Sequence, residues 1–166
     1  MNPDRITDVL GRLTFRQAVW LFPLAFALHI GEEWPQFTTW VQRYASPAFT
    51  RRDYAVVHLS GLALAVVVAV LLSRWPRSWT AFLFFAFVLT PGIFFNTLFH
   101  AGATARFGAY CPGLITALTI YLPYYFYLSR LAYREALLNG ATGTAAFVIA
   151  GVFHTIEVGH NVFKAW

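Results

Sequence analysis

The stretch Phe26-Ala27-Leu28-His29-Ile30-Gly31-Glu32-Glu33-Trp34-Pro35 ends an apolar run with a histidine and two adjacent carboxylates. The run extends back to Phe15, and the interval from Phe15 to Trp34 matches the roughly 20 residues that a helix needs to cross a bilayer. Pro35 disfavours helical backbone at Trp34, so the helix is expected to stop there. An ionised side chain inside an apolar span costs about 3 kcal/mol or more unless it is paired. Glu32 and Glu33 therefore require partners from elsewhere in the chain. His29, Glu32 and Glu33 stand at i, i+3 and i+4, which places them on one side of the helix.

Four more segments of similar length follow, at Tyr54 to Ser73, Trp79 to Ala101, Tyr110 to Arg130 and Gly143 to Phe163. The expected fold is all-α: a single membrane domain of five transmembrane helices over residues 1–166. Arg74-Trp75-Pro76-Arg77 forms one break, with a helix stopper between snorkelling cations, and Asn139-Gly140 begins another. Two segments outside the spans carry apolar residues at helical spacing and are expected to lie in the interface: Ile6, Val9, Leu10 and Leu13, then Phe37, Trp40, Val41 and Tyr44. The second, tethered directly after Glu33, is placed to act as a flap. No internal repeat, low-complexity tract or second domain is present in the sequence.

Composition agrees with a membrane setting. Hydrophobic residues make up 58% of the chain and charged residues 11%, against roughly 25% charged in a soluble domain. The net charge of +5 comes from 12 Lys and Arg against 7 Asp and Glu. With such long apolar runs, these cations read as juxtamembrane anchors rather than a nucleic-acid surface. Arg5, Arg12, Arg16, Arg74, Arg77, Arg130 and Arg134 fall on the N-terminal side, and Arg43, Arg51, Arg52, Arg106 and Lys164 on the other. This bias favours a cytoplasmic N-terminus. The one cysteine, Cys111, excludes an internal disulfide and a thiolate zinc cluster.

The placement of the polar residues is more informative than their number. In five alternating spans the first, third and fifth run in parallel, and each carries its polar group toward its C-terminal end: His29-x-x-Glu32-Glu33, Asn96 with His100, and His154-x-x-Glu157-x-x-His160. His58, near the start of the second span, and Cys111-Pro112-Gly113, before the fourth, fall at the same membrane face. Imidazoles and carboxylates without thiolates suit one or two divalent ions, zinc, iron or manganese. The expected ligands are His29, His100, Glu157 and His160, with Glu32 or Glu33 as general base. Asn96, His154 and His58 are assigned to a supporting layer, as further ligands or as orienting partners.

These residues resemble the HXXEE family of small, mostly bacterial membrane proteins, whose motif matches His29-Ile30-Gly31-Glu32-Glu33. The resemblance extends to an Asn-x-x-x-His element at Asn96 to His100 and to a Pro-Gly element at Pro112-Gly113, with Cys111 where the family pattern is associated with serine. It implies a bacterial inner-membrane protein and no particular reaction. A looser similarity is to membrane-embedded CAAX-type proteases, which join Glu-Glu to histidines on other helices. Phe37 stands four residues after Glu33, where those proteases are expected to have an arginine.

The resulting expectation is a membrane-embedded metalloenzyme acting on a lipid-like substrate, with a metal-activated water and with membrane lipids as its surroundings. A di-iron desaturase or hydroxylase is the oxidative alternative. A proton or ion pathway, or an assembly factor, is the non-enzymatic one.

Overall fold

Prolines and capping side chains set the helix boundaries in the computed structural model, which describes residues 13–163. The N-terminal amphipathic residues Ile6, Val9 and Leu10, and the cations Arg5, Arg12 and Lys164, lie outside the described residues. Helix α1 (Phe15–Ala18) and helix α2 (Leu21–Glu33) are separated by a turn at Val19 and Trp20. Pro23 accounts for the break, because its ring would collide with the Val19 carbonyl four residues back in a continuous helix. α2 ends at Glu33, two residues before Pro35, and α3 (Phe37–Tyr44) turns away from it.

Helix α4 (Arg51–Arg74) starts from Thr50, whose hydroxyl accepts from the Asp53 amide at 3.1 Å while Asp53 Oδ2 accepts from the Thr50 amide at 2.9 Å. Helix α5 (Ser78–Phe107) is continuous but is π-helical from Phe85 to Phe95, around Pro91. Proline lacks the N–H for the ordinary ladder, and the π turns absorb the mismatch. Helix α6 (residues 114–134) has a π stretch at Ala117–Tyr121, just ahead of Pro123. Helix α7 (Gly140–Asn161) is capped by Asn139 Oδ1, which accepts from the Thr142 amide at 3.0 Å.

The described residues contain no strand, as expected for an all-α chain. Three helices, α4, α5 and α7, are long and apolar enough to cross a membrane, rather than the five expected. The expected first span fails because Pro23 divides it. With a rise of about 1.5 Å per residue, the 13 residues of α2 reach only about 20 Å, short of a hydrocarbon core of about 30 Å. The expected fourth span has the length, but Tyr121, Tyr124, Tyr125, Tyr127, Tyr133, Arg130 and Arg134 make it less apolar than the other three.

The core lies between these helices. Phe15, Val19, Phe22, Phe85, Leu89 and Tyr121 are buried together, and α7 packs along the π-helical part of α5. Outward-facing Val56, Val67, Val148 and Val152 are each more than half exposed or close to it, which suits contact with lipid and not water. A second cluster, with Phe37, Trp40, Val41, Phe49, Tyr54 and Cys111 at its centre, fixes α3 over the C-terminal end of α2.

Candidate metal centre

Glu33, at the last turn of α2, is 1% exposed and is the point on which four other side chains converge. His58 Nε2 from α4 lies 2.9 Å from Oε2, and the Tyr54 hydroxyl one turn earlier donates to the same oxygen at 3.1 Å. His100 Nε2 from α5 is 3.3 Å from Oε1, and His29 Nε2 is 3.5 Å from it. One donor atom each from His29, Glu33 and His100 lies within 4.8 Å of the others, and all three residues are buried. Burying a carboxylate requires compensation at this level.

The far sides of the rings decide what the near sides offer. Thr116 Oγ1 donates to the Gly113 carbonyl at 3.2 Å, leaving its lone pairs for His29 Nδ1 at 2.8 Å. His58 Nδ1 faces the Tyr54 carbonyl at 2.8 Å, which can only accept. His100 Nδ1 faces Cys111 Sγ at 3.3 Å. The Nδ1 partners of His29 and His58 can accept, so a ring proton on Nδ1 would leave Nε2 free to ligate a cation beside Glu33, whereas the Cys111 thiol can serve His100 Nδ1 as donor or acceptor. His29 Nε2 and His100 Nε2 are buried with no hydrogen-bond partner among the described residues. Rings oriented from behind in this way, gathered around a buried carboxylate, are what a metal ion needs.

Gly113 closes the floor of the site. Its φ is +101°, and a Cβ placed there would lie 2.6 Å from His100 Cε1, 2.8 Å from His29 Cε1 and 3.0 Å from Glu33 Cγ. Phe37 forms the roof, its ring centre 5.9 Å from that of His100 and 6.3 Å from that of His58. Tyr121 lies under His29 with ring centres 4.3 Å apart.

Glu32 does a different job from its neighbour. Its carboxylate accepts from the amides of Gly113, Ile115 and Thr116 at 3.1, 3.0 and 2.7 Å, and also from the Tyr110 hydroxyl. It therefore caps the N-terminus of α6 from another helix, and this engagement turns it away from the histidines around Glu33. In the α5–α6 loop, burial and the bond to Glu32 push Tyr110 up to about 12, so it stays a donor at neutral pH. Burial, with the charges of Glu33 and Glu32, also pushes the Cys111 thiol up, which argues against a thiolate nucleophile.

The remaining residues fall in two places. Asn96, His154 and Glu157 line a cavity of about 530 Å³ that Glu33 and His58 also border. Glu157 and His58 face the same cavity from α7 and α4. His160 is exposed and outside the group, in contrast to its expected role as a ligand. Two positions six residues apart on a helix diverge by about a third of a turn, so the face that turns Glu157 and His154 inward turns His160 away. Tyr54 and Thr116 are not among the expected site residues, and Gly113 is expected there only as part of the Pro112-Gly113 element. Tyr54 is readable in retrospect, since it precedes His58 by four residues and shares its helix face.

Fold and site together define an all-helical protein with three helices long and apolar enough to cross a membrane and a buried His-Glu-His group able to hold a metal ion. Residues 20–128 match the family model described as a protein of unknown function with HXXEE motif, and the chain belongs to that family. The motif residues His29, Glu32 and Glu33 are the ones that build the group and brace it against α6. No curated protein and no solved structure matches the chain.

Proposed function

We propose that this chain is a membrane-embedded metalloenzyme that hydrolyses a lipid-like substrate. The observation that carries the reading is the convergence of three imidazole Nε2 atoms from α2, α4 and α5 on one buried carboxylate, each ring held from behind at Nδ1. His29, Glu33 and His100 are the ligands, with His58 beside them. The nitrogen and oxygen donor set suits zinc or iron. A bound divalent ion supplies Lewis acidity and an activated water near neutral pH. Around it, Phe37 limits bulk water, Tyr54 fixes one carboxylate oxygen of Glu33, and Glu157 stands across the cavity as the free carboxylate within reach of a substrate. The apolar cavity wall favours a substrate drawn from the surrounding lipid.

The carboxylate-bridged di-iron alternative needs a second carboxylate in the group. Glu33 is the one carboxylate among its described members, since Glu32 is held by the α6 amides. Metal analysis after chelator-free purification tests the proposal. About one equivalent of zinc or iron is expected in the parent, and Glu33→Gln, which keeps the shape and removes the charge, is expected to lose most of it. Less than about a tenth of an equivalent in the parent, with no uptake on reconstitution, would overturn the reading.

A further inference from the structure

We infer that the cavity beside the His-Glu-His group binds a single-chain amphiphile with a hydroxyl head, admitted from the bilayer between α4 and α7. The inference depends on the metalloenzyme reading for its purpose, since it names the class of substrate, but the binding site stands on separate residues. Val57, Ser60, Gly61 and Leu64 of α4 form one wall, and Phe153, His154, Glu157 and Val158 of α7 form another. These two helices do not pack closely on one another, and both present apolar residues outward. The gap between them therefore opens on lipid.

Size and polarity narrow the occupant. At about 30 Å³ per water-sized group, the cavity of about 530 Å³ holds roughly 18 non-hydrogen atoms. That is room for one chain with a small head. Phe22, Phe26, Leu64, Phe87 and Phe153 offer the chain an apolar wall. Asn96 Oδ1 and His154 Nδ1 are buried with no hydrogen-bond partner among the described residues, and buried polar atoms in that state are uncommon without a bound group or water to meet them. With the Glu157 carboxylate they give the cavity a polar part rich in acceptors, on the same lining as Glu33 and His58. A hydroxyl head can donate to these atoms, whereas a carboxylate head would meet Glu157 and Glu33 as like charges.

The test uses the full chain purified in micelles and a long-chain fatty alcohol carrying a mid-chain diazirine. After illumination, the labelled residues are mapped by mass spectrometry and metal content is measured on the same samples. Label is expected on Leu64, Phe87 or Phe153, displaced by excess monoacylglycerol and not by the fatty acid of equal chain length. Asn96→Leu removes one acceptor at similar volume and is expected to lower labelling about tenfold, the effect of one lost hydrogen bond of about 1.4 kcal/mol. Gly92 lines the cavity, and a Cβ there meets nothing within 4 Å. Gly92→Leu is therefore expected to take up part of the space and lower labelling while metal content stays at the parent level.

Label spread evenly over the outer residues Val67 and Val148, displacement by the fatty acid as readily as by monoacylglycerol, or full labelling of well-folded Asn96→Leu would overturn the inference. Cavity labelling with this selectivity in a metal-free parent would sustain the binding site and overturn the metalloenzyme reading instead.

Discussion

Gly113→Ala isolates the geometry of the site in one methyl group. The added Cβ would lie at 2.6 Å from His100 Cε1 and 2.8 Å from His29 Cε1, inside any tolerable contact. The neighbours cannot yield cheaply, because His100 is held by Cys111 and His29 by Thr116, with Tyr121 beneath it. A φ of +101° adds backbone strain for any residue with a side chain, on the order of 1–3 kcal/mol, and relief of overpacking costs about 1–3 kcal/mol more. The sum, about 2–6 kcal/mol, falls on the alignment of the ligands or on the fold.

Gly108→Ala provides the control. Gly108 also has a positive φ, +62°, but a Cβ there meets nothing within 4 Å. Its cost is the left-handed backbone alone, about 1–2 kcal/mol. Competitive chelator titration and thermal unfolding in detergent would be run on both variants. Gly113→Ala is expected to weaken metal binding by at least about 30-fold, the equivalent of 2 kcal/mol, or to unfold outright, whereas Gly108→Ala keeps the parent affinity with a modestly lower Tm. Parent-like metal affinity in a folded Gly113→Ala protein would refute the proposed placement of Gly113 under the ligands.

Three further outcomes are expected. Glu32→Gln should lower stability by about 1–2 kcal/mol through loss of a charged cap while the folded fraction keeps more than half of its metal, and loss of metal without loss of stability would make Glu32 a ligand after all. Phe37→Ala removes the ring over His100 and His58 and should speed metal loss to a water-soluble chelator about tenfold or more, since opening a lid of about 1.4 kcal/mol suffices for that factor; an unchanged rate would reduce α3 to a membrane anchor. His160→Ala should leave metal content and stability as in the parent, and a large drop in metal would show that α7 turns its last histidine inward.

Length and apolarity alone located α4, α5 and α7, because a spanning helix has few competing solutions for a long apolar stretch. The same rule overreached at the first and fourth segments. The expected span from Phe15 to Trp34 includes Pro23, and a proline at the fourth position after Val19 breaks the ladder there. The tyrosines of α6 counted as hydrophobic in the residue count yet carry hydroxyls that lower its affinity for hydrocarbon. The π turns of α5 were not legible at all. Pro91 announces a local defect, but whether the chain answers with a kink, a bulge or a long π stretch depends on packing against α7. That choice sets the face taken by Asn96 and His100, so the sequence placed His100 at the right depth without fixing its direction.

Helical geometry also explains why the adjacent carboxylates of the motif do not compete for one site. Successive residues in an α-helix point about 100° apart, whereas residues four apart nearly coincide. His29 and Glu33 therefore form one facing pair, joined at 3.5 Å, and Glu32 necessarily looks past them. What lies in its direction is the N-terminus of α6, where three amides take up its charge. That contact pins Gly113 and Thr116 against α2, and Thr116 in turn holds His29 Nδ1. Adjacent glutamates at a helix C-terminus face desolvation, mutual repulsion and the negative end of the helix dipole. The structure relieves them separately, Glu32 by a second helix dipole of favourable sign and Glu33 by the histidines of three helices. The five-residue motif thus encodes a ligand pair and, on the adjoining face, the brace that keeps one of those ligands aimed.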